Sequence, residues 1–336
     1  MIDQRFLAGS PEEVGIDSDK LTELLDRVRK EVDEGLLPSV QVAIARNGKL
    51  AAFETYGDAP KDPLYCVFSS TKAITSAAAW LLIQEGKLDV SETVADIVPE
   101  FGANGKEKIY VEQLFTHTSG FPHAPFRPEE WHDKASRLHR FSEWKLNWEP
   151  GSRFEYHPTS SMWMIAEIIE RRSGQSFQSF IRERISEPLG LDDLWVGAPA
   201  DQHHRIADVT HVGDALTAED YAKLGLPVPP VTEVTEEALT RFNLPEVRET
   251  PVAGGGGIMS AAELALFYQA LVNGGSNIDG EQVWKPETLE YAREVRTGDL
   301  RDLQGGHRVH RALGICIAGD EKRNLRGFGH TNSPLA

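Results

Sequence analysis

An α/β chain is predicted, with one layer built from its two ends and a helical portion inserted between them. Three observations carry this. Two β-rich runs, Ser39–Arg46 and Lys49–Tyr56, are joined by Asn47-Gly48, both of which tolerate positive φ in a tight hairpin. A long, almost wholly apolar helical stretch begins at Ser69 and runs to Glu85. Two further short strand patterns, Leu313–Ala318 and Gly327–Thr331, return near the C-terminus. The expected division is residues 1–68 and 251–336 for the sheet portion and residues 69–250 for the mainly helical one.

Taken in order, Ser18 precedes a pattern with Leu21, Leu24, Leu25, Val28 and Val32 on one helical face, closed by Gly35. The hairpin follows, and a short run at Leu64–Phe68 leads straight into Ser69. Ala73, Ile74 and the run Ala77–Ile83 leave the next helix no broad polar face, so it is expected to be buried, with Gly86 as its stop. Helices are expected over Thr159–Arg172, ended by Gly174, and Ser176–Ile185, ended by Pro188. Residues 225–250, rich in Pro, Thr and Glu without periodicity, read as a mobile surface loop. Ser260-Ala-Ala-Glu263 reads as a capping box opening a helix through Val272.

Composition narrows the function. The 336 residues are 40% hydrophobic and 26% charged, with a net charge of −17 and a pI near 5.1. That balance is opposite to the basic footprint a nucleic-acid binder needs, and it disfavours docking on anionic membranes. No run approaches the roughly 20 apolar residues of a membrane span. The N-terminus carries no basic-then-apolar signal pattern, and the only two cysteines, Cys66 and Cys316, give no disulfide framework, so a cytoplasmic location is expected. His203-His204 and the pair His307 and His310 come without the further ligands zinc requires, so neither a metal nor a cofactor is expected.

Chemistry enters at Ser69-Ser70-Thr71-Lys72, where a hydroxyl and an amine fall on one face of the first helical turn. Any short motif of this kind occurs by chance, with a capping serine and a surface lysine as the ordinary outcome. Here the helix offers Lys72 little surface, and Ser69 directly follows a strand, a junction where hydrolases present nucleophiles. Burial would lower the lysine's proton affinity, which a Ser–Lys pair needs.

Five segments in order then extend the pattern. Cys66-Val-Phe-Ser-Ser-Thr-Lys-Ala-Ile-Thr75 resembles the nucleophile segment of the serine β-lactamase and penicillin-binding-protein superfamily, on the class C-like branch that includes family VIII carboxylesterases. Leu114–Pro122, Trp148–Tyr156, Gly254–Ser260 and Gly327–Thr331 are similar to its later motifs. The resemblance implies an α/β (α+β type), β-lactamase-like fold over nearly the whole chain, a mainly antiparallel sheet flanked by helices plus an inserted helical domain. It implies Ser69 as acylated nucleophile, Lys72 as its activating partner and Tyr156 as general base. It further implies His330, Thr331 and Asn332 on a strand opposite Ser69, His157 near the substrate, and an oxyanion hole from the backbone N–H groups of Ser69 and Ser333. His117 and the Gly254–Gly257 run are expected to hold turns, and Cys66 to be a buried small hydrophobe.

The departures are informative. Where β-lactamases have Tyr-x-Asn, this chain has Tyr156-His157-Pro158, and Pro158 offers neither an amide side chain nor an N–H. Asn332 stands where the third motif often has glycine. The family's C-terminal strands and helix are expected to be missing after Ala336, leaving a sheet edge that another chain could cover in an oligomer. A small-molecule ester is therefore the expected substrate. The alternatives are a β-lactamase or D-amino-acid peptidase acting on amides, and a catalytically inactive relative serving as a binding protein.

Overall fold

The structure is a computed structural model that describes residues 2–214, 216–225, 228, 235–302, 306–317 and 328–329. It mixes helices with antiparallel strands. Helix α1 spans Ser18–Asp33, and its cap is Asp17, whose carboxylate accepts from Lys20 N at 2.9 Å. Strands β1 (Ser39–Arg46) and β2 (Lys49–Gly57) form the expected hairpin, with Asn47 at φ 55° and Gly48 at φ 79°. Their register runs from Ser39 opposite Gly57 to Arg46 opposite Lys49, broken by a bulge between Ile44 and Ala45.

A second sheet joins three segments far apart in the sequence. Strand β3 (Tyr65–Cys66) and strand β4 (Trp195–Val196) each pair antiparallel with β5 (Gly257–Met259), which lies between them. A third pair joins β6 (Cys316–Ile317) to β7 (Phe328–Gly329). Thus three small antiparallel sheets, rather than one continuous layer, are seen among the described residues. One of their strands, β4, comes from the middle of the chain.

Helix α2 (Thr71–Gln84) is the axis of the core. Every residue from Thr71 to Leu82 is buried, so the helix has no solvent face, as its sequence predicts. Each fully buried Ile or Leu here contributes about 1.5–3 kcal/mol through removal from water. Helix α3 (Ser160–Ser173) packs along it and ends at Gly174, φ 75°. The polar handles of two buried tryptophans tie α2 to later chain: Trp80 Nε1 donates to Leu313 O at 3.1 Å, and Trp284 Nε1 donates to Ala77 O at 2.9 Å. At Gly314 a Cβ would fall 1.8 Å from Ser76 Oγ, so only glycine lets this segment lie against α2.

Helix α4 (Ala261–Val272) lies on β1, where Gln41 Oε1 accepts from Ala261 N at 2.7 Å. Ser260 caps it, accepting from Glu263 N at 3.2 Å. The reciprocal half of the expected capping box is absent, because Glu263 Oε1 instead accepts from Asp193 N at 2.8 Å.

Two sequence expectations change. The predicted helix from Ser69 begins instead as a tight turn over Phe68–Ser70, and α2 proper starts at Thr71. Within 225–250, the described part is not a loose loop. A short helix at Glu236–Thr240 is followed by one at Pro245–Glu249, which buries Val247 and Arg248. Helices of five residues are too brief to display a 3.6-residue period, which is why the pattern was invisible. No helix among the described residues is long and apolar enough to cross a membrane.

Candidate active site

The segment leading into Ser69 is held in an unfavourable backbone conformation. Phe68, immediately before Ser69, has φ 42°, a left-handed value that costs a non-glycine residue about 1–3 kcal/mol and persists only where neighbours impose it. The neighbours are visible. Val67 N donates to Gly257 O at 2.9 Å, and Thr71 Oγ1 donates to Phe68 O at 2.5 Å. The same Thr71 oxygen accepts from Gly257 N at 2.7 Å. Phe242 packs edge-on against Phe68, with ring centroids 5.3 Å apart. Ser69 is thereby presented at the strand-to-helix junction.

Lys72, one turn on, is 0% exposed. Its Nζ donates to Ser69 Oγ at 3.0 Å and to Gly254 O at 2.7 Å. Burial is the main influence holding this amine below the ordinary lysine range; Tyr156 opposes that shift, and the charge of Arg311 adds to it. Thr75 Oγ1 donates to Ala253 O at 2.7 Å, so the turn before β5 is sewn along α2. A Cβ on Gly254 would meet Pro158 O at 3.0 Å, and one on Gly257 would meet Thr71 Oγ1 at 2.6 Å. The glycine run expected to be a tight turn is therefore also the cradle of Lys72.

Tyr156 completes the cluster, its hydroxyl donating to Ser69 Oγ at 2.8 Å. Lys72 Nζ lies 5.0 Å from the centroid of its ring. His117, buried and at φ 57°, grips both backbone neighbours of this tyrosine. Its carbonyl accepts from Glu155 N, and its Nδ1 accepts from His157 N, each at 3.2 Å. Its ring stands 4.7 Å from that of Tyr156. The turn-holding role expected of His117 thus has a specific object.

His157, expected to lie near the substrate, is placed elsewhere. Its ring is 0% exposed and turned into the interior. Nε2 accepts from Phe121 N at 3.2 Å and pairs with Ser119 Oγ at 3.0 Å, while Nδ1 donates to Glu155 O at 2.6 Å. These bonds suit a neutral imidazole, and burial pushes its pKa down to about 3. It is a packing residue behind Tyr156. Four expected residues, His330, Thr331, Asn332 and Ser333, lie outside the described residues, and so does the Ser333 half of the expected oxyanion hole. Cys66, expected to be a buried small hydrophobe, is half-buried, and removal of its thiol from water pushes the pKa up to about 12.

Sequence reasoning missed three contributors. The Gly254 carbonyl has no side-chain signature. Phe242 sits in a stretch without periodicity. Arg311, whose guanidinium carbon is 5.9 Å from the Tyr156 ring centroid, is brought there only by the fold.

The hydrogen-bond directions define what the cluster can do. Ser69 Oγ accepts from both Lys72 and Tyr156. It can give up its own proton only once one of those groups has lost one, so attack by Ser69 requires a deprotonated Lys72–Tyr156 pair.

Comparison with known proteins adds the following. The family model described as Beta-lactamase matches residues 24–331. A candidate D-alanyl-D-alanine carboxypeptidase of Salmonella agona is 26% identical over 211 residues, covering 54% of this chain and 48% of that protein. The chain therefore spans about half the length of the curated relatives it matches. Among solved structures, a penicillin-binding protein homologue from Caulobacter crescentus superposes with a TM-score of 0.75 at 25% identity, covering 93% of this chain and 86% of the other. A family VIII carboxylesterase superposes with a TM-score of 0.76 at 23% identity over 94% and 87% of the two chains, a likeness of fold.

Proposed function

Because this chain belongs to the β-lactamase family, within the serine β-lactamase and penicillin-binding-protein superfamily of hydrolases, we propose that Ser69 is its nucleophile and carboxylic esters its substrates. The observation that carries the reading is one hydroxyl oxygen, Ser69 Oγ, held at 3.0 Å by a buried lysine and at 2.8 Å by a tyrosine.

In the proposed reaction the Ser69 proton passes to the deprotonated Lys72–Tyr156 pair as Oγ attacks the ester carbonyl. The carbonyl π pair moves onto oxygen. Collapse of that intermediate breaks the bond to the alcohol, which leaves with the proton returned from the pair, and Ser69 stays acylated. Water then repeats the sequence in place of Ser69 and releases the acid. No cofactor is needed for this chemistry. The site lies where the proposed sheet portion (1–68 and 251–336) meets the helical portion (69–250), and a cysteine content of only two residues suits a reducing cytoplasm.

Esters are favoured over amides by Pro158. A side-chain amide at that position would bind an acylamino substrate, and proline has no such group and no N–H. The rival reading, a β-lactamase or D-amino-acid peptidase, draws on the 26% identity to the Salmonella agona protein. Relative kcat/KM on p-nitrophenyl butyrate and nitrocefin separates the two. We expect the ester to be favoured at least a hundredfold, with a butyryl mass adduct on Ser69; comparable values would promote the amide reading. Failure of a fluorophosphonate probe to label Ser69 would instead support an inactive binding protein.

A further inference from the structure

We propose that Arg311 is a positioning residue whose charge drives the proton off Lys72 and so readies the Ser69–Lys72–Tyr156 cluster for attack. The inference rests on the serine-hydrolase reading, and its geometry is independent of the substrate.

Arg311 is fixed at the backbone from both sides. Its N–H donates to Thr297 Oγ1 at 3.1 Å, its carbonyl accepts from Arg296 N at 2.8 Å, and it forms an antiparallel bridge with Cys316 at the start of β6. From there the guanidinium reaches over the aromatic pair beside the nucleophile, 5.4 Å from the Phe154 ring centroid and 5.9 Å from that of Tyr156. Lys72 Nζ lies 5.0 Å from the same Tyr156 ring. Two cations therefore flank a single phenol.

Among the described residues, neither is paired with a carboxylate. Arg137, Arg171, Arg205, Arg248 and Arg296 are each paired with one. Neither Arg311 nor Lys72 has such a partner among the described residues, although the chain carries 52 acidic side chains against 35 basic ones. The groups facing the cluster can be named. Ser69 and Tyr156 contact Lys72 directly, and the Gly254 carbonyl takes one of its N–H groups. The His117 ring flanks Tyr156, with the neutral His157 behind it. Cys66 is a neutral thiol bonded to Gly255 O. The acid next to Tyr156 in sequence, Glu155, is engaged by Trp148 Nε1 at 2.8 Å and by His123.

A protonated Lys72 thus meets a second positive charge, with no acid among the described residues to offset it, in an enclosure that screens poorly. Loss of its proton relieves both burdens. The neutral amine then takes the Ser69 proton, directly or through the Tyr156 oxygen, as Oγ bonds to the carbonyl carbon.

Two readouts test this on the full-length protein. The first is the pH dependence of covalent labelling of Ser69 by a fluorophosphonate probe, followed by intact mass. The second is the NMR titration of the Lys72 Cε signal in protein carrying 13C-lysine, assigned with Lys72→Arg, which needs no turnover. Arg311→Met keeps an apolar stem against the two rings without the charge, and Arg311→Lys restores the charge. We expect Arg311→Met to move both midpoints upward by about one pH unit, and Arg311→Lys to return them most of the way. Arg311→Gln serves the same comparison where the Met variant does not fold. Unchanged midpoints with only a lower plateau would overturn the proposal and leave Arg311 a packing residue. A loss confined to carboxylate-bearing esters would overturn it in favour of substrate binding. A wild type that is never labelled would remove the hydrolase reading, and the lysine titration alone would then decide whether Arg311 acts on Lys72.

Discussion

Lys72 and Lys106 are both 0% exposed, and burial holds both below the ordinary lysine range, Lys106 at about 8. Their surroundings differ in kind. Lys106 Nζ donates to Ala103 O at 2.6 Å and to Trp144 O, and it lies 5.1 Å from the Phe101 ring centroid. Both of these hydrogen-bond partners are backbone carbonyls, so this lysine clasps two loop segments, with the charge of Glu107 opposing part of the effect of burial. Lys72 also holds a carbonyl, that of Gly254, but its second partner is a hydroxyl oxygen that Tyr156 reaches as well. A displaced proton affinity is common to both regions. A hydroxyl oxygen shared with a tyrosine within hydrogen-bond distance belongs to one.

That contrast is broken or sharpened most strongly by removing the reactive partners. Ser69→Ala should abolish ester hydrolysis with the fold intact, since one hydroxyl leaves little cavity. Lys72→Met should lower kcat by about a thousandfold or more, and Tyr156→Phe, which keeps the ring, by about a hundredfold or more. Steady-state kinetics on p-nitrophenyl butyrate measures all three. A Tyr156→Phe enzyme near wild-type activity would make Tyr156 a packing residue and leave Lys72 as sole base. Lys106→Met supplies the counterpart. It should leave kcat/KM within about twofold, yet lower unfolding stability in urea by about 1–3 kcal/mol, because buried carbonyls lose their donor. A large kinetic defect there would erase the distinction between the two lysines.

The legible parts of this chain are those where local chemistry decides. Asn47-Gly48 specifies a turn with positive φ whatever surrounds it, and the apolar circumference of 71–82 can only be an interior helix. Ser69 and Lys72 could be read because three residues on one turn fix their proximity. What tertiary contacts decide was hidden. Phe68 adopts its left-handed φ because Thr71, Gly257 and Phe242 hold it there. Tyr156 and His157 are adjacent in sequence, and nothing in the sequence says that the first faces Ser69 while the second turns inward to Ser119 and Phe121. Arg311 and Lys72 stand apart by most of the chain, so their convergence on one ring has no local signature.

The smallest expected effect comes from two other buried groups that pull in opposite directions with pH. His157 has its pKa held near 3 by burial, well below the ordinary histidine value. Its unfolded form gains a proton that the folded form refuses, so its contribution to stability is full above about pH 6.5 and declines as pH falls, by about 2 kcal/mol at pH 5. Glu263 is the reverse case. Burial raises its carboxyl to about 8, and one of its oxygens, Oε2, has no hydrogen-bond partner among the described residues. Its contribution is full below about pH 4.5 and is lost as pH rises towards 8, by an amount of similar size between pH 5 and 7. Over that interval the two slopes nearly cancel, so their joint effect on the wild type is close to flat. Glu263→Gln keeps an acceptor for Asp193 N and removes the ionisable group. It should be about 1–3 kcal/mol more stable than wild type at pH 7 and no more stable near pH 4. It should also expose the acid-side decline due to His157, which the wild type conceals. Urea unfolding at pH 4, 5, 6 and 7 for the two proteins measures this. A variant that is less stable than wild type at pH 7 would mean that Glu263 is charged in the fold and compensated by groups other than those it touches here.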